Sequence, residues 1–206
     1  MRKTGPVNDF APTPPHGASA AEVLVRPAEP GDAARVARLL TLRGTSVEES
    51  REQAHRMISS LPVLLLALLP AAEAAGGEGP AGGGRAADLD DDLLAPVALS
   101  GAFPLPRRLR ASLPEPSDGV EAWMVSGLVI DPVARRGGVG RVLLTAVADA
   151  VQALRPAADL YSVVNATNHA SIGLHLMVGF KRLARLGAFG TVTFEDGQGV
   201  LLRRAG

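Results

Sequence analysis

The stretch Leu128–Leu144, LVIDPVARRGGVGRVLL, constrains this chain more than any other. It reads as a strand ending at Ile130, a break at Asp131-Pro132, a loop rich in arginine and glycine, and then a helix. Proline lacks the amide hydrogen a sheet ladder needs, so the strand must stop before Pro132. The helix follows from periodicity. Val139, Val142, Leu143, Ala146, Val147, Ala150, Val151 and Leu154 recur at helical spacing, and Pro156 marks the exit.

Such a loop suits an anion. Glycines let backbone N–H groups approach a ligand closely, and the unpaired donors of a helix start carry partial positive charge. Arg135, Arg136 and Arg141 add full charges around Gly137, Gly138 and Gly140. A pyrophosphate fits this description better than a neutral ligand. Gly-Lys-Ser/Thr, which a Walker loop needs, is absent, as is the third glycine of a dinucleotide fingerprint.

The 206 residues give room for one domain with a proper core and barely for two. Basic and acidic residues balance at 21 each, so neither nucleic acid nor an anionic membrane is expected as a partner. With no cysteine, the chain has no disulfide, no thiolate zinc site and no cysteine nucleophile. Residues 1–20 are read as a disordered tail without the apolar core of a signal peptide, and a cytoplasmic location is expected.

Residues 21–206 are expected to form a single domain. Val23–Pro27 begins it as a strand, and Asp32 is placed to cap a helix using Val36, Leu39 and Leu40. Ser46-x-x-Glu49 is a capping box opening a second helix to about Ser59, within which His55 is read as an exposed or core-edge histidine. The apolar run 61–69 is too short to span a membrane and reads as a buried strand. Residues 70–92 are a low-complexity loop ending in Asp90-Asp91-Asp92, read as a solvated charge run. Leu93–Phe103 returns as strand three, and 104–119 is a Pro-rich connection carrying Arg107, Arg108 and Arg110. Glu121–Ile130 is strand four, with Ser126-Gly127 as a bulge. After the central helix come strand Asp159–Val164, a helix capped by Asn168 and stopped by Gly179, strands near 181–187 and 190–194, and Val200–Leu202 as a hairpin partner. The order is βααβββαβαββ.

Arg135-x-x-Gly138-x-Gly140, after a strand and opening a helix, resembles the pyrophosphate loop of the GNAT superfamily of acyl-CoA-dependent N-acyltransferases. Asn168-His-Ala-Ser171-Ile-Gly-Leu-His175-Leu-Met-Val-Gly179-Phe180 resembles that family's second hallmark, N-x-x-[AS]-x-x-x-[YH]-x-x-x-G-F. The likeness is close over 120–183 and looser over 23–204. It implies an α/β (α+β) fold: a mixed, mostly antiparallel sheet of six to seven strands, helices on both faces, splayed between strands four and five.

The resemblance also implies roles. Backbone groups of Leu128, Val129 and Ile130 would pair with the pantetheine arm of acetyl-CoA, as an added strand pairs with a sheet edge. Arg135, Arg136, Gly137, Gly138, Val139, Gly140 and Arg141 would hold the pyrophosphate, and Asn168 and Ser171 would touch the cofactor arm. The amide after the bulge would polarise the thioester carbonyl. The implied reaction is direct attack by a primary amine, from a small molecule or peptide, with no metal. A homodimer is compatible with it.

His175 stands where many relatives have a tyrosine; it either protonates the departing thiolate or packs beside the sheet. Tyr161, on the strand before, is either the backup donor or a buried strand tyrosine. Glu121 is either the general base or a solvated strand-end carboxylate, because Val163 stands where some relatives carry glutamate. Two rival readings remain at this level: an acyl-CoA-binding module without catalysis, and a nucleotide-binding α/β protein using the same glycine loop.

Overall fold

The computed structural model describes residues 23–71, 93–114, 119–194 and 198–206. The expected tail, the Asp90–Asp92 run and most of the 70–92 loop lie outside these.

Seven strands form one sheet in the order β1-β2-β3-β4-β5-β9-β6. They are β1 (Leu24–Pro27), β2 (Val63–Pro70), β3 (Leu94–Pro104), β4 (Ala122–Ile130), β5 (Asp159–Asn165), β6 (Lys181–Leu186) and β9 (Gly199–Arg204). All neighbours pair antiparallel except β4 and β5, which run parallel. The helices are α1 (Ala33–Thr41), α2 (Val47–Ser60), a single turn α3 (Arg107–Arg110), α4 (Val139–Leu154) and α5 (His169–Met177). The mixed sheet with helices on both faces is the fold expected.

Apolar patterning sets the layers. β2 is buried from Val63 to Leu69, so it has no solvent face to alternate with. Leu65, Ala67 and Leu69 point to one side with Trp123, Val125 and the Leu143–Val151 stripe of α4. Leu64, Leu66 and Leu68 point to the other side, against Val36, Leu39 and Leu40 of α1 and Ala54 of α2. A third cluster joins Leu105, Leu113, Met124, Tyr161, Phe189 and Leu201 on the side of the sheet beyond β4. Among the described residues, no helix is long and apolar enough to cross a membrane.

Three local expectations are corrected. Asp32 occupies the position before α1, but its side chain makes no cap hydrogen bond to that helix. Its carboxylate instead accepts two bonds from Arg26, at 2.6 and 2.9 Å, and one from the Glu29 amide at 2.9 Å. A bidentate guanidinium satisfies a buried carboxylate better than one cap bond does. The Pro-rich connection contains α3 rather than loop alone, closed by bonds from Leu109 and Arg110 to the Pro106 carbonyl. The chain end also differs from a simple succession of strands. Residues 190–194 give only the short β8 (Val192–Thr193), paired with β7 (Ala188–Phe189) outside the main sheet. β9 then inserts between β5 and β6, pairing with both.

The Ser46–Glu49 capping box is formed on both sides. The helix stop at Gly179 takes the Schellman form: Gly179 is left-handed at φ 92°, and the Phe180 and Gly179 amides donate back to the carbonyls of His175 and Leu176.

Candidate active site

The site grows from one irregularity in β4. Against β3, Leu128 pairs with Ser100 and Val125 with Ala102, so Ser126 and Gly127 together face Gly101 alone. This is the expected bulge, and Gly127 sits at φ 120°, which only glycine adopts without strain. The hydroxyl of Ser100, which is fully buried, donates to the Gly127 carbonyl at 2.8 Å and holds the bulge in place. Sequence reasoning missed Ser100; a serine within the apolar run of strand three was its one signal.

The bulge diverts β4 from β5. The two strands pair only through Ala122–Asp159, Trp123–Leu160 and Met124–Tyr161. Beyond Met124 the β5-facing edge of β4 has no strand partner. Leu128, Val129 and Ile130 therefore lie beside a gap in the sheet while remaining paired to β3.

At the end of this gap α4 begins. Gly138 precedes it at φ 80°, and Arg136 is left-handed at φ 67°, an unusual conformation for a residue with a side chain. Holding Arg136 there costs on the order of 1–3 kcal/mol, strain that tends to accompany ligand-binding turns. The first helix-start amide to find a partner is that of Arg141, which donates to the Gly138 carbonyl at 2.9 Å. The five amides before it, from Arg136 to Gly140, donate to no group among the described residues. Consecutive free N–H groups at a helix start make an anion cradle.

The gap and cradle open into one cleft of about 470 Å³, lined by Leu128, Ile130, Arg135, Arg136, Gly140, Asn168, Ser171 and Leu174, with Ala134 and Ala170. Gly140 is required by shape. A Cβ there would meet Ile130 Cδ1 at 2.6 Å and Leu174 Cδ2 at 3.0 Å. Asn168 caps α5 by accepting from the Ser171 amide at 3.0 Å, and still lines the cleft. Val139 contributes only its amide, since its side chain is buried in the core. Arg141 projects elsewhere, beside Thr145, Asp149 and Met177.

The three residues expected to carry proton transfer are not gathered here. Glu121 precedes β4, roughly 16 Å of extended chain from the bulge. It accepts from Trp123 Nε1 at 3.0 Å and pairs with Arg155 at 3.0 Å, tying β4 to the end of α4. Tyr161 is buried in the third cluster with its hydroxyl 3.5 Å from Asp159, and burial pushes its pKa up. His175 is only 2% exposed and lies outside the cleft lining. Its Nδ1 lies 2.8 Å from the Ser171 carbonyl and so carries the proton, leaving Nε2 buried without a partner. Burial drives its pKa down, so the ring is neutral. It meets Phe180 edge-on at 5.0 Å, the side-chain contact that closes the Schellman turn. The pattern His175-x-x-x-Gly179-Phe180 carried this signal beside the chemical one.

A second, smaller cavity of about 260 Å³ reaches the bulge from the opposite face of the sheet. Its walls include Phe103, Met124, Val163 and Phe189, with Ser126, Gly127 and Arg43 at the bulge. Neighbouring residues of one strand, Gly127 and Leu128, thus line separate cavities.

The sequence profile described as Acetyltransferase (GNAT) family matches residues 73–180. This chain belongs to the GNAT acetyltransferase family. Solved structures agree on its fold. A GNAT-family acetyltransferase from Streptococcus pneumoniae is similar at 18% identity and TM-score 0.56, covering 89% of this chain and 99% of that one. A phosphinothricin acetyltransferase from Sinorhizobium meliloti in complex with AcCoA matches at 16% and 0.59, over 89% and 88%. Arabidopsis thaliana NAA60 in complex with acetyl-CoA matches at 14% and 0.59, over 89% and 98%. No curated protein sequence matches this GNAT chain significantly. No group of three or more metal-ligating side chains occurs among its described residues.

Proposed function

We propose that this GNAT protein transfers an acetyl group from acetyl-CoA to a primary amine by direct attack. The observation that carries the reading is the run of five free amides between Arg136 and Gly140, continuous with the unpaired edge of β4. One element offers anion donors and the other offers strand-pairing groups, and acetyl-CoA has a diphosphate joined to a peptide-like arm. Arg135, Arg136 and the free amides hold the diphosphate. Leu128–Ile130 take the pantetheine amides, Asn168 and Ser171 face the arm, and the thioester comes to rest at the bulge.

The amine nitrogen forms a bond to the acyl carbon, and the tetrahedral oxyanion is held by the amide that follows the bulge. Collapse breaks the carbon–sulfur bond, and the thiolate takes up a proton as the new amide nitrogen loses one. A CoA thiol has a pKa near about 8.5, so that proton needs no strong acid. His175, Tyr161 and Glu121 act as structural residues in this scheme.

Titration calorimetry with acetyl-CoA, ATP and NAD, followed by thiol release over a panel of amines, tests the reading. Acetyl-CoA alone should bind tightly, and Arg135→Ala should weaken it roughly ten- to a hundredfold. Equal binding of ATP or NAD would point to a nucleotide site and refute it. The buried, neutral His175 and the apolar Val163 also favour a second reading, an acyl-CoA-binding module that does not turn over. Tight acetyl-CoA binding with no thiol release on any amine would select it.

A further inference from the structure

The cavity on the far side of the bulge carries a charge, Arg43, that takes no part in the acetyl-CoA cleft. Arg43 follows α1 in a turn fixed by three successive bonds, from Leu42, Arg43 and Gly44 to the carbonyls of Leu39, Leu40 and Thr41. Gly44 is left-handed at φ 85°, which sends the chain sharply away and leaves Arg43 at the cavity wall. Its guanidinium lies over the bulge: a Cβ on Gly127 would stand 3.2 Å from Nη1. The missing side chain at Gly127 is what gives the cation its place. The Arg43 guanidinium makes no ion pair or hydrogen bond among the described residues.

Charge, size, apolar walls and one hydroxyl define what the cavity accepts. Among its described lining residues Arg43 is the single charged group, and no carboxylate faces it. A polyamine or a lysine side chain would bring only positive charge to a cationic, largely apolar site, and is disfavoured. The volume, about 260 Å³, is below the usual range of about 300–1,000 Å³ for drug-sized ligands. Phe103, Val163 and Phe189 supply apolar walls. The Ser126 hydroxyl is buried at the bulge without a hydrogen-bond partner, and so has its bonding capacity to offer.

We infer that the acceptor is a small amine carrying its own carboxylate, of the α-amino-acid type with an apolar side chain, and that Arg43 is the residue that selects it. Resting on the acetyl-transfer reading, this assigns the far cavity to the acceptor. The carboxylate pairs with the Arg43 guanidinium, the apolar side chain lies against Phe103 and Phe189, and the amino group is left at Ser126, facing the bulge where the thioester arrives from the other side.

Thiol release from acetyl-CoA with leucine, leucinamide and isoamylamine tests the assignment. Leucine should be acetylated, and the amide and the decarboxylated amine should each show KM roughly ten- to a hundredfold higher. Arg43→Gln should erase that preference by raising KM for leucine alone, with kcat and acetyl-CoA affinity nearly unchanged, and Arg43→Lys should restore part of it. Should leucinamide work as well as leucine, or R43Q lower kcat for every amine alike, the assignment is overturned. Calorimetry of N-acetylleucine against N-acetylleucinamide on the CoA-loaded protein gives the answer without turnover. A preference for the carboxylate that vanishes in R43Q supports the inference even if the transfer reading fails; no preference refutes it.

Discussion

Replacing His175 by phenylalanine should make the protein more resistant to acid. The ring keeps its edge contact with Phe180, so the turn that ends α5 survives. What changes is polar. The variant loses the Nδ1 bond to the Ser171 carbonyl, worth about 1 kcal/mol, and also loses the buried, unpartnered Nε2, whose desolvation costs about 1–3 kcal/mol. At neutral pH the two nearly cancel. Below the unfolded value of 6.5 they do not. Burial holds the folded pKa lower than that, so the unfolded chain binds a proton that the folded chain does not. Stability from this group is complete above 6.5 and falls as pH drops towards the folded pKa, by at most about 1.4 kcal/mol per pH unit. At about pH 5 the variant should therefore have gained up to about 2 kcal/mol over wild type. Urea unfolding of both proteins at neutral pH and at pH 5 reads this difference. Parallel loss of stability would show that His175 is not held neutral in the fold. Turnover at neutral pH should change little; a large drop in kcat with acetyl-CoA affinity intact would restore the proton-donor role.

Gly140→Ala should separate binding from stability. The new methyl group displaces the side-chain ends of Ile130 and Leu174, both of which line the cleft, so acetyl-CoA affinity should fall by calorimetry while the unfolding free energy from urea changes by under about 1 kcal/mol. Asp32→Asn removes a buried carboxylate from Arg26 and should cost about 1.5–3 kcal/mol in urea unfolding at neutral pH. Because the Arg26 bonds hold the Asp32 pKa below 3.8, that contribution is present above 3.8 and fades as pH falls further; a wild-type advantage that persisted unchanged at about pH 2 would contradict the pairing.

Legibility tracked local determinism. The helix caps at Ser46 and Asn168, the stop at Gly179 and the bulge at Ser126-Gly127 are written in a few adjacent residues, and each forms as read. The cradle was legible for the same reason, since a glycine-rich turn after a prolyl break has few ways to enter a helix. What escaped depends on distant partners. Asp32 is diverted from capping by Arg26, and β9 chooses its place between β5 and β6. Ser100 earns its role only because Gly127 lies across the sheet. For His175 and Glu121 the sequence left a chemical and a structural role open, because distance and burial are not local: Glu121 stands at the far end of its strand from the bulge, and the imidazole of His175 is buried against Phe180. Arg43 gave no sign in the sequence at all, because one arginine after a helix becomes informative only when an apolar cavity forms around it.

The absence of a base at Val163 then has a physical counterpart in the same cavity. An amine must be neutral to attack, and a carboxylate nearby would both accept its proton and stabilise the charged form. This cavity does the opposite: its apolar walls penalise an ammonium by desolvation. Desolvation lowers the pKa of the bound amine, which is how the proposed reaction would proceed without a proton acceptor at position 163. It follows that kcat/KM should rise with pH along a limb whose apparent pKa belongs to the acceptor. A series of carboxylate-bearing amines graded in basicity should move that limb in step with their own pKa values. A limb fixed at one pH for every acceptor would belong to a protein group, and would mean that a base acts here after all.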